Sequence, residues 1–328
     1  MILLNGFGRI GKLVLRELVD RGHAERLAGI NEIAGDAATV AHLLEFDSVQ
    51  GRWSWGVSSD RDAVLFGDHR VPVTAERRIE DLPLDGVSVV VDCTGAFRTQ
   101  AALAPYRERV ANVVLSAPVK DGGAPEICYG VNHDVYDGEW LVTGASCTTN
   151  CLAPVVKVIQ ERFGIRHGSY TTIHDVTNTQ TIVDAPHKDL RRARSAMHSL
   201  IPTSSGSAKA IGRIFPELEG RLDGLAVRVP VTEGSLTDMA FELERDVTVE
   251  EVNGALRDAA EGPLAGILGY EDRPLVSADY TGDKRSGVVD GLLTRVVGGT
   301  QVKLFAWYDN EMGYSARLAD VVEMVLDR

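Results

Sequence analysis

Cysteine is scarce in this chain. Four residues in 328 (Cys93, Cys128, Cys147 and Cys151) are too few for a disulfide framework. None makes the C-x-x-C pair of redox or zinc motifs. Cys147 and Cys151 are four apart, a spacing that shares one helix face, and no second pair could complete a zinc site. Positive charge is also short. With 34 Lys and Arg against 47 Asp and Glu, the formal charge of −13 argues against a nucleic-acid or acidic-membrane surface. No apolar run approaches the roughly 20 residues that span a bilayer. Met1-Ile2-Leu3-Leu4 enters a strand-like run at once, so no leader is expected and the expected location is the cytoplasm. No Pro/Ser/Gly-rich linker and no internal repeat divide the chain. What remains, 44% hydrophobic and 25% charged, is the composition of a soluble globular protein with room for two domains.

The hydrophobic pattern changes along the chain. Short apolar runs at 2–4 and 27–31 alternate with helix-period segments at 10–19 and 37–44. Apolar stretches at 87–91 and 113–115 flank a helix expected over 101–110. This alternation predicts an α/β fold, a parallel sheet wrapped by helices. From about Arg166 the segments lengthen and alternate (169–174, 225–229, 236–243, 301–307), which predicts an antiparallel or mixed sheet.

Two motifs carry chemistry. Gly6-Phe7-Gly8-Arg9-Ile10-Gly11 follows the opening strand and starts an amphipathic helix. There the glycines serve a tight turn, a close approach of pyrophosphate and close helix–strand packing. Asn31-Glu32 ends the second strand, where an acid can bond both ribose hydroxyls and repel a 2′-phosphate; this favours NAD over NADP. The second motif is Ser146-Cys147-Thr148-Thr149-Asn150-Cys151. It follows a strand-like run and a Gly-Ala step, and it precedes a helical pattern through Leu152, Val155, Val156, Val158 and Ile159, with Pro154 expected in the first turn. Cys147 is therefore expected near a helix N-terminus, where unsatisfied N–H groups and the dipole favour a thiolate. Alone it could equally be a small buried hydrophobe. His174, 27 positions later, closes a strand and can pair with the thiol as thiolate and imidazolium. Ser205-Gly206 opens a helix-like run at 207–215, a natural anion site.

With Asp47-Ser48-Val49, Ser116-Ala117-Pro118, the segment 184–194, Arg228-Val229-Pro230 and Trp307 to Ser315 in the same order, these motifs resemble phosphorylating glyceraldehyde-3-phosphate dehydrogenase over essentially the whole chain. The resemblance implies a Rossmann-type doubly wound parallel sheet over 1–147, with a C-terminal helix (314–328) packed back on it. An α+β catalytic domain with a mixed or antiparallel sheet would fill 148–313. It implies Cys147 as nucleophile and His174 as base, with NAD as cofactor. Gly6, Gly8, Arg9, Ile10, Gly11, Glu32, Arg77, Ser116 and Asn310 would bind it, Asn310 orienting the nicotinamide amide. Thr177, Thr179 and Arg228 would hold the phosphate of glyceraldehyde 3-phosphate. Ser146, Arg192, Ser205 and Gly206 would hold inorganic phosphate, with Thr148 in the same set. A homotetramer is implied, and neither a nucleic acid nor a membrane partner. Asp175, Asp184, His187 and Asp189 have no compact metal spacing, and no metal is expected; Arg191 and Arg194 read as a solvated face.

The chain departs from the family at several points. Val231-Thr232-Glu233-Gly234 stands where Thr-Pro-Asn commonly follows Pro230, and the extra carboxylate is expected to reshape the substrate-phosphate site. Glu32 replaces a commoner aspartate, Ala185 a commonly larger residue, and Leu84 a frequent tryptophan. Asp175 and Asn178 within the segment 174–180 resemble a branch associated with arsenate-resistance operons, where arsenate would take the place of phosphate. Oxidation of erythrose 4-phosphate with hydrolysis is the near rival. An idle binding or RNA-interacting protein is the distant one, opposed by Cys147, His174 and the acidic balance.

Overall fold

The structure is a computed structural model and describes residues 1–328. The chain divides into two compact units, Met1–Ser146 with Tyr314–Arg328, and Cys147–Gly313. The second unit thus starts at Cys147 itself.

The first unit is built on eight strands: β1 (Ile2–Asn5), β2 (Leu27–Asn31), β3 (Val57–Ser59), β4 (Ala63–Phe66), β5 (His69–Thr74), β6 (Val89–Asp92), β7 (Asn112–Leu115) and β8 (Leu141–Thr143). Their order is β3-β4-β5-β2-β1-β6-β7-β8. The six strands from β5 to β8 run parallel, and β3 and β4 add an antiparallel edge. The strand order reverses at β1, so a crevice opens beyond the carboxyl ends of β1 and β6. β1 and β6 are buried along their whole length, as strands covered on both faces must be.

One helix follows β1 directly and a second packs beside it. α1 (Arg9–Asp20) buries Leu13, Val14, Leu15 and Leu18, but also Lys12 and Arg16. Both charges have partners. Lys12 and Arg9 each lie 2.5 Å from Asp47. Arg16 donates to the Leu44 carbonyl at the end of α2 (Ala37–Glu45), satisfying an acceptor that a helix C-terminus leaves open. The helix expected over 101–110 is much shorter. α3 (Gln100–Leu103) gives way at Ala104–Tyr106 to a 3₁₀ turn, because Pro105 has no N–H to continue an α-helix.

The second unit holds β9 (Ile165–His174), β10 (Ile201–Ser204), β11 (Leu222–Arg228), β12 (Ser235–Leu243), β13 (Leu268–Glu271), β14 (Gly287–Asp290), β15 (Arg295–Val297) and β16 (Gln301–Tyr308). They form a mixed sheet ordered β10-β11-β9-β12-β16-β14-β13, with β15 beside β16. β12 alternates buried and half-buried residues along its full length, the period of a sheet covered on one face. α4 (Cys147–Phe163), α5 (Ser207–Ile214) and α6 (Val249–Glu261) cover that face. Pro154 is inside α4 and not in its first turn, since the helix begins at Cys147. α7 (Met312–Leu326) supplies its residues from Tyr314 onward to the first unit, where Asp320 and Glu323 pair with Arg21 at 2.6 and 2.8 Å. No helix is long and apolar enough to cross a membrane.

Candidate active site

In the first unit, the turn between β1 and α1 is shaped by its glycines. Gly6 has φ +92°, and a Cβ there would lie 2.7 Å from the Thr94 nitrogen; at Gly11 a Cβ would lie 2.0 Å from the Gly6 oxygen. At Gly8 nothing lies within 4 Å. A closed, tightly packed loop is thus open at the one position where a pyrophosphate must approach the backbone, and the site fits a dinucleotide. Glu32 is held ready beside it. Its two carboxylate oxygens accept the N–H groups of Phe7 and Ala34, both at 2.8 Å.

Below the crevice, a polar chain ties the carboxyl ends of four strands together. Asp92 accepts from Asn5 and from the Tyr106 hydroxyl, Asn5 accepts from Asn31, and Asn31 accepts from Thr74. Ile10 and Ser116 are half-buried at this end, and Arg77 is exposed in the loop after β5. Arg9 is turned to Asp47.

The turn leading into Cys147 is unusual. Ala145 is the only residue other than glycine with a positive φ, at 56°, and it is fully buried. An L residue in this region is strained, so its surroundings must hold it there. The Thr143 hydroxyl accepts the Ala145 N–H at 3.1 Å, and the Tyr314 hydroxyl donates to its carbonyl at 3.2 Å. Two residues later Cys147 is the first residue of α4, where the N-terminal end of the helix dipole favours negative charge.

Strand register assembles the rest. β9 and β11 pair in parallel with Arg228 opposite His174, and β12 pairs with β16 with Ser235 opposite Tyr308. One end of the second sheet therefore collects His174, Arg228, Ser235 and Tyr308. The His174 Nε2 lies 3.5 Å from the Cys147 sulfur. The Tyr308 ring stands edge-on to the imidazole, centroids 6.0 Å apart, and its hydroxyl is engaged by Thr148 at 3.0 Å.

The other ring nitrogen, Nδ1, faces three groups. It is 3.0 Å from the Asp175 carbonyl, 2.7 Å from the Asp175 carboxylate and 2.7 Å from an Arg228 nitrogen. It cannot accept from Arg228 and donate to Asp175 at once. With its proton on Nε2 the neutral ring accepts from Arg228 at Nδ1, whereas the imidazolium, like the neutral ring with its proton on Nδ1, donates to the Asp175 oxygens.

Burial alone would push the Cys147 thiol up. The hydrogen bond and charge of His174, with the charge of Arg228, outweigh it and hold the thiol below its ordinary value. Burial would likewise press His174 down, but Asp175 and the thiolate raise it to about 9. Cys93 and Cys151 have no such partner, and burial pushes both up to about 12; Cys128 is raised further by the same cause.

The expected anion donors fall into separate groups. Arg192 donates to the Thr203 hydroxyl at 2.8 Å. Gly206 is the N-cap of α5 with open space at its Cα, and the Ser205 hydroxyl accepts from Tyr170 at 2.9 Å. Thr177 and Thr179 are exposed, their hydroxyls 2.9 Å apart, while Arg228 is largely buried beside His174. Ser146 precedes α4 as the last residue of the first unit's main segment.

The carboxylate of Glu233 was expected to disturb Arg228. It is buried instead against Asp309, accepting the Gly234 N–H at 3.0 Å. Burial and Asp309 push it well above the usual carboxylic-acid range, so it stands as a neutral acid. Sequence reasoning assigned no site role to Asp175 or Tyr308. The unusual Asp175 was visible in the motif, but its direction was not.

Comparison with known proteins gives a consistent picture. Residues 1–100 match the family model described as "Glyceraldehyde 3-phosphate dehydrogenase, NAD binding domain". Residues 146–310 match "Glyceraldehyde 3-phosphate dehydrogenase, C-terminal domain". The chain is 54% identical over 328 residues to glyceraldehyde-3-phosphate dehydrogenase 3 of Nostoc sp., covering 98% of this chain and 97% of the relative. It is 47% identical to the Geobacillus stearothermophilus glyceraldehyde-3-phosphate dehydrogenase, covering 99% and 98%. To glyceraldehyde-3-phosphate dehydrogenase 1 of Bacillus subtilis it is 46% identical, covering 98% and 97%.

Proposed function

The chain belongs to the glyceraldehyde-3-phosphate dehydrogenase family and is an NAD-dependent oxidoreductase, and we propose that it converts glyceraldehyde 3-phosphate and inorganic phosphate to an acyl phosphate through a thioester on Cys147. The observation that carries this reading is the thiol at the first position of α4, 3.5 Å from the Nε2 of a raised imidazole.

The Cys147 thiolate adds to the aldehyde carbon, and His174 gives its Nε2 proton to the resulting alkoxide. Neutral His174 then takes that proton back as the hemithioacetal carbon loses hydride and the thioester forms. NAD, when bound, supplies the hydride acceptor. An oxygen of inorganic phosphate attacks the thioester carbon, the tetrahedral intermediate is supported by His174, and the Cys147–carbon bond breaks to return the thiolate. Arg228, Thr177 and Thr179 hold the substrate phosphate in this reading. Ser146, Thr148, Arg192, Ser205 and Gly206 hold the attacking anion in the same reading. Arg9, Ile10, Arg77, Ser116 and Asn310 join the glycine loop and Glu32 in holding NAD.

The assembly is a cytoplasmic homotetramer in this reading. Ile182, Val183, Leu190 and Leu200 support self-association, each more than two thirds exposed within one segment.

The test is NADH formation at varied phosphate and arsenate. Turnover should require one of the two anions. Arsenate should sustain it without a stable acyl phosphate, because the same donors accept either tetrahedral anion. Arg192→Lys should raise the KM for both anions more than the KM for NAD, since lysine lacks the guanidinium fork. Wild-type turnover independent of either anion would overturn the phosphorylating assignment in favour of hydrolysis.

A further inference from the structure

We propose that Asp175 is a positioning residue whose single carboxylate holds His174 as the imidazolium and fixes the amide of Asn310, extending the Cys147–His174 pair into a three-member relay. The proposal rests on the dehydrogenase reading for the role of Asn310.

Asp175 is 1% exposed, and both of its oxygens are directed into the site. Oδ2 accepts from the Asn310 amide at 2.9 Å. The Ser235 hydroxyl donates to the Asn310 carbonyl oxygen at 2.9 Å and accepts the Asp175 N–H at 3.3 Å, closing a ring of three residues. Both ends of the Asn310 amide are thus committed to one orientation. Oδ1 has no hydrogen bond of good geometry, yet it lies 2.7 Å from the His174 Nδ1. A buried carboxylate oxygen is costly to leave without a donor, and a positive ring beside it removes that cost.

Every element around His174 bears on its charge. Cys147 on α4 favours the imidazolium as thiolate. Arg228 on β11 opposes it through Nδ1. Tyr308 on β16 presents a ring edge. Glu233 and Asp309 lie beyond Asp175, Glu233 as a neutral acid. Proton exchange between sulfur and Nε2 leaves the number of protons unchanged. A carboxylate nearer the ring than the sulfur therefore favours the charge-separated form, and Asp175 offsets Arg228.

Two variants separate the two contacts. Asp175→Asn removes the charge but keeps an oxygen for the Asn310 amide; Asp175→Ser removes both. The first readout is the rate of Cys147 alkylation by iodoacetamide, followed on the Cys147 peptide by mass spectrometry at pH 7 and pH 10. In the wild type the two rates should be similar, with thiolate present at both. In both variants the pH 7 rate should fall roughly tenfold relative to pH 10, the usual effect of a lost opposite charge. A passive packing role would give no loss that alkali restores. The second readout is the KM for NAD, which should rise at least severalfold in the Ser variant and stay within about twofold in the Asn variant. An unchanged alkylation ratio in Asp175→Asn overturns the imidazolium role, and equal KM values for NAD in the two variants overturn the Asn310 role. Alkylation needs no substrate. A wild type that forms no NADH from glyceraldehyde 3-phosphate would instead refute the dehydrogenase reading, with the alkylation ratios still deciding on the imidazolium.

Discussion

Replacing Glu32 by alanine should alter cofactor choice in a way that can be worked out beforehand. The carboxylate already accepts the N–H groups of Phe7 and Ala34, so its position is set before any ribose arrives. Each oxygen keeps a further lone pair for a ribose hydroxyl. A hydrogen bond to a charged group contributes about 1.5–3 kcal/mol, so the loss should weaken NAD by roughly 10- to 100-fold. A 2′-phosphate would bring like charge to the same place. At about 5 Å and an effective dielectric near 20 the repulsion is about 3 kcal/mol per unit charge, which solvent at this half-buried position reduces to about 1–2 kcal/mol. Glu32→Ala should therefore lift NADP by about tenfold while lowering NAD. The ratio of kcat/KM for NAD to that for NADP should drop by roughly 10²–10³. Loosening of the glycine loop by the lost Phe7 contact would depress both nucleotides together, leaving the ratio unmoved. Steady-state kinetics with both cofactors measure it. A wild type with better kcat/KM for NADP, or a variant with an unchanged ratio, would refute the placement of the carboxylate at the ribose.

Cys147→Ser should abolish NADH formation while NAD still binds in a fluorescence titration, because a hydroxyl cannot replace the thiolate; His174→Asn should slow turnover by roughly 10²–10⁴-fold. Asp47 offers a stability test. Burial would raise it, but Arg9, Lys12 and the N–H groups of Gln50 and Val49 bring it far below the usual carboxylate range. Its stabilisation should be fully present above the unfolded aspartate value of about 3.9 and be lost as pH falls through the lower native value. Asp47→Ala, which leaves Lys12 buried without its partner, should cost about 3 kcal/mol in urea unfolding at pH 7, with the gap from wild type closing in acid. A cost below about 1 kcal/mol would show that Lys12 finds solvent.

The parts of the site that were legible in the sequence each have a local physical reason. Gly6 and Gly11 meet requirements of backbone space that nearby residues impose, and Gly8 leaves the loop open between them. Cys147 is marked by the strand before it and the helix period after it. His174 could be placed at a strand end but not oriented, because the contact with Cys147 joins segments 27 residues apart. Arg228 stands opposite His174 through the register of two parallel strands 54 residues apart, and no pattern within either strand contains that register. The direction of Asp175 was hidden for a similar reason: alternation along β9 ends at His174, and the next residue is aimed by Ser235 and Asn310. In α1, Lys12 and Arg16 are buried on ion-pair and carbonyl partners supplied by residues 44–47, which the helix period alone does not show. Pro105, a local signal of helix ending, was there to be read against the longer helix expected over 101–110.

The strained Ala145 has a consequence for biosynthesis. Its carbonyl is held by a tyrosine 169 residues further along the chain. At ordinary rates of translation that partner is made roughly 10–30 s after the cysteine turn itself. Until then the turn has the Thr143 hydroxyl and the bond from the Gly144 N–H to the Leu115 carbonyl, but not the tyrosine, to hold a backbone conformation that an L residue leaves readily. The turn before the nucleophile is thus completed by nearly the last segment to be synthesised, and a nascent chain lacking α7 would carry Ala145 without the tyrosine that holds its carbonyl.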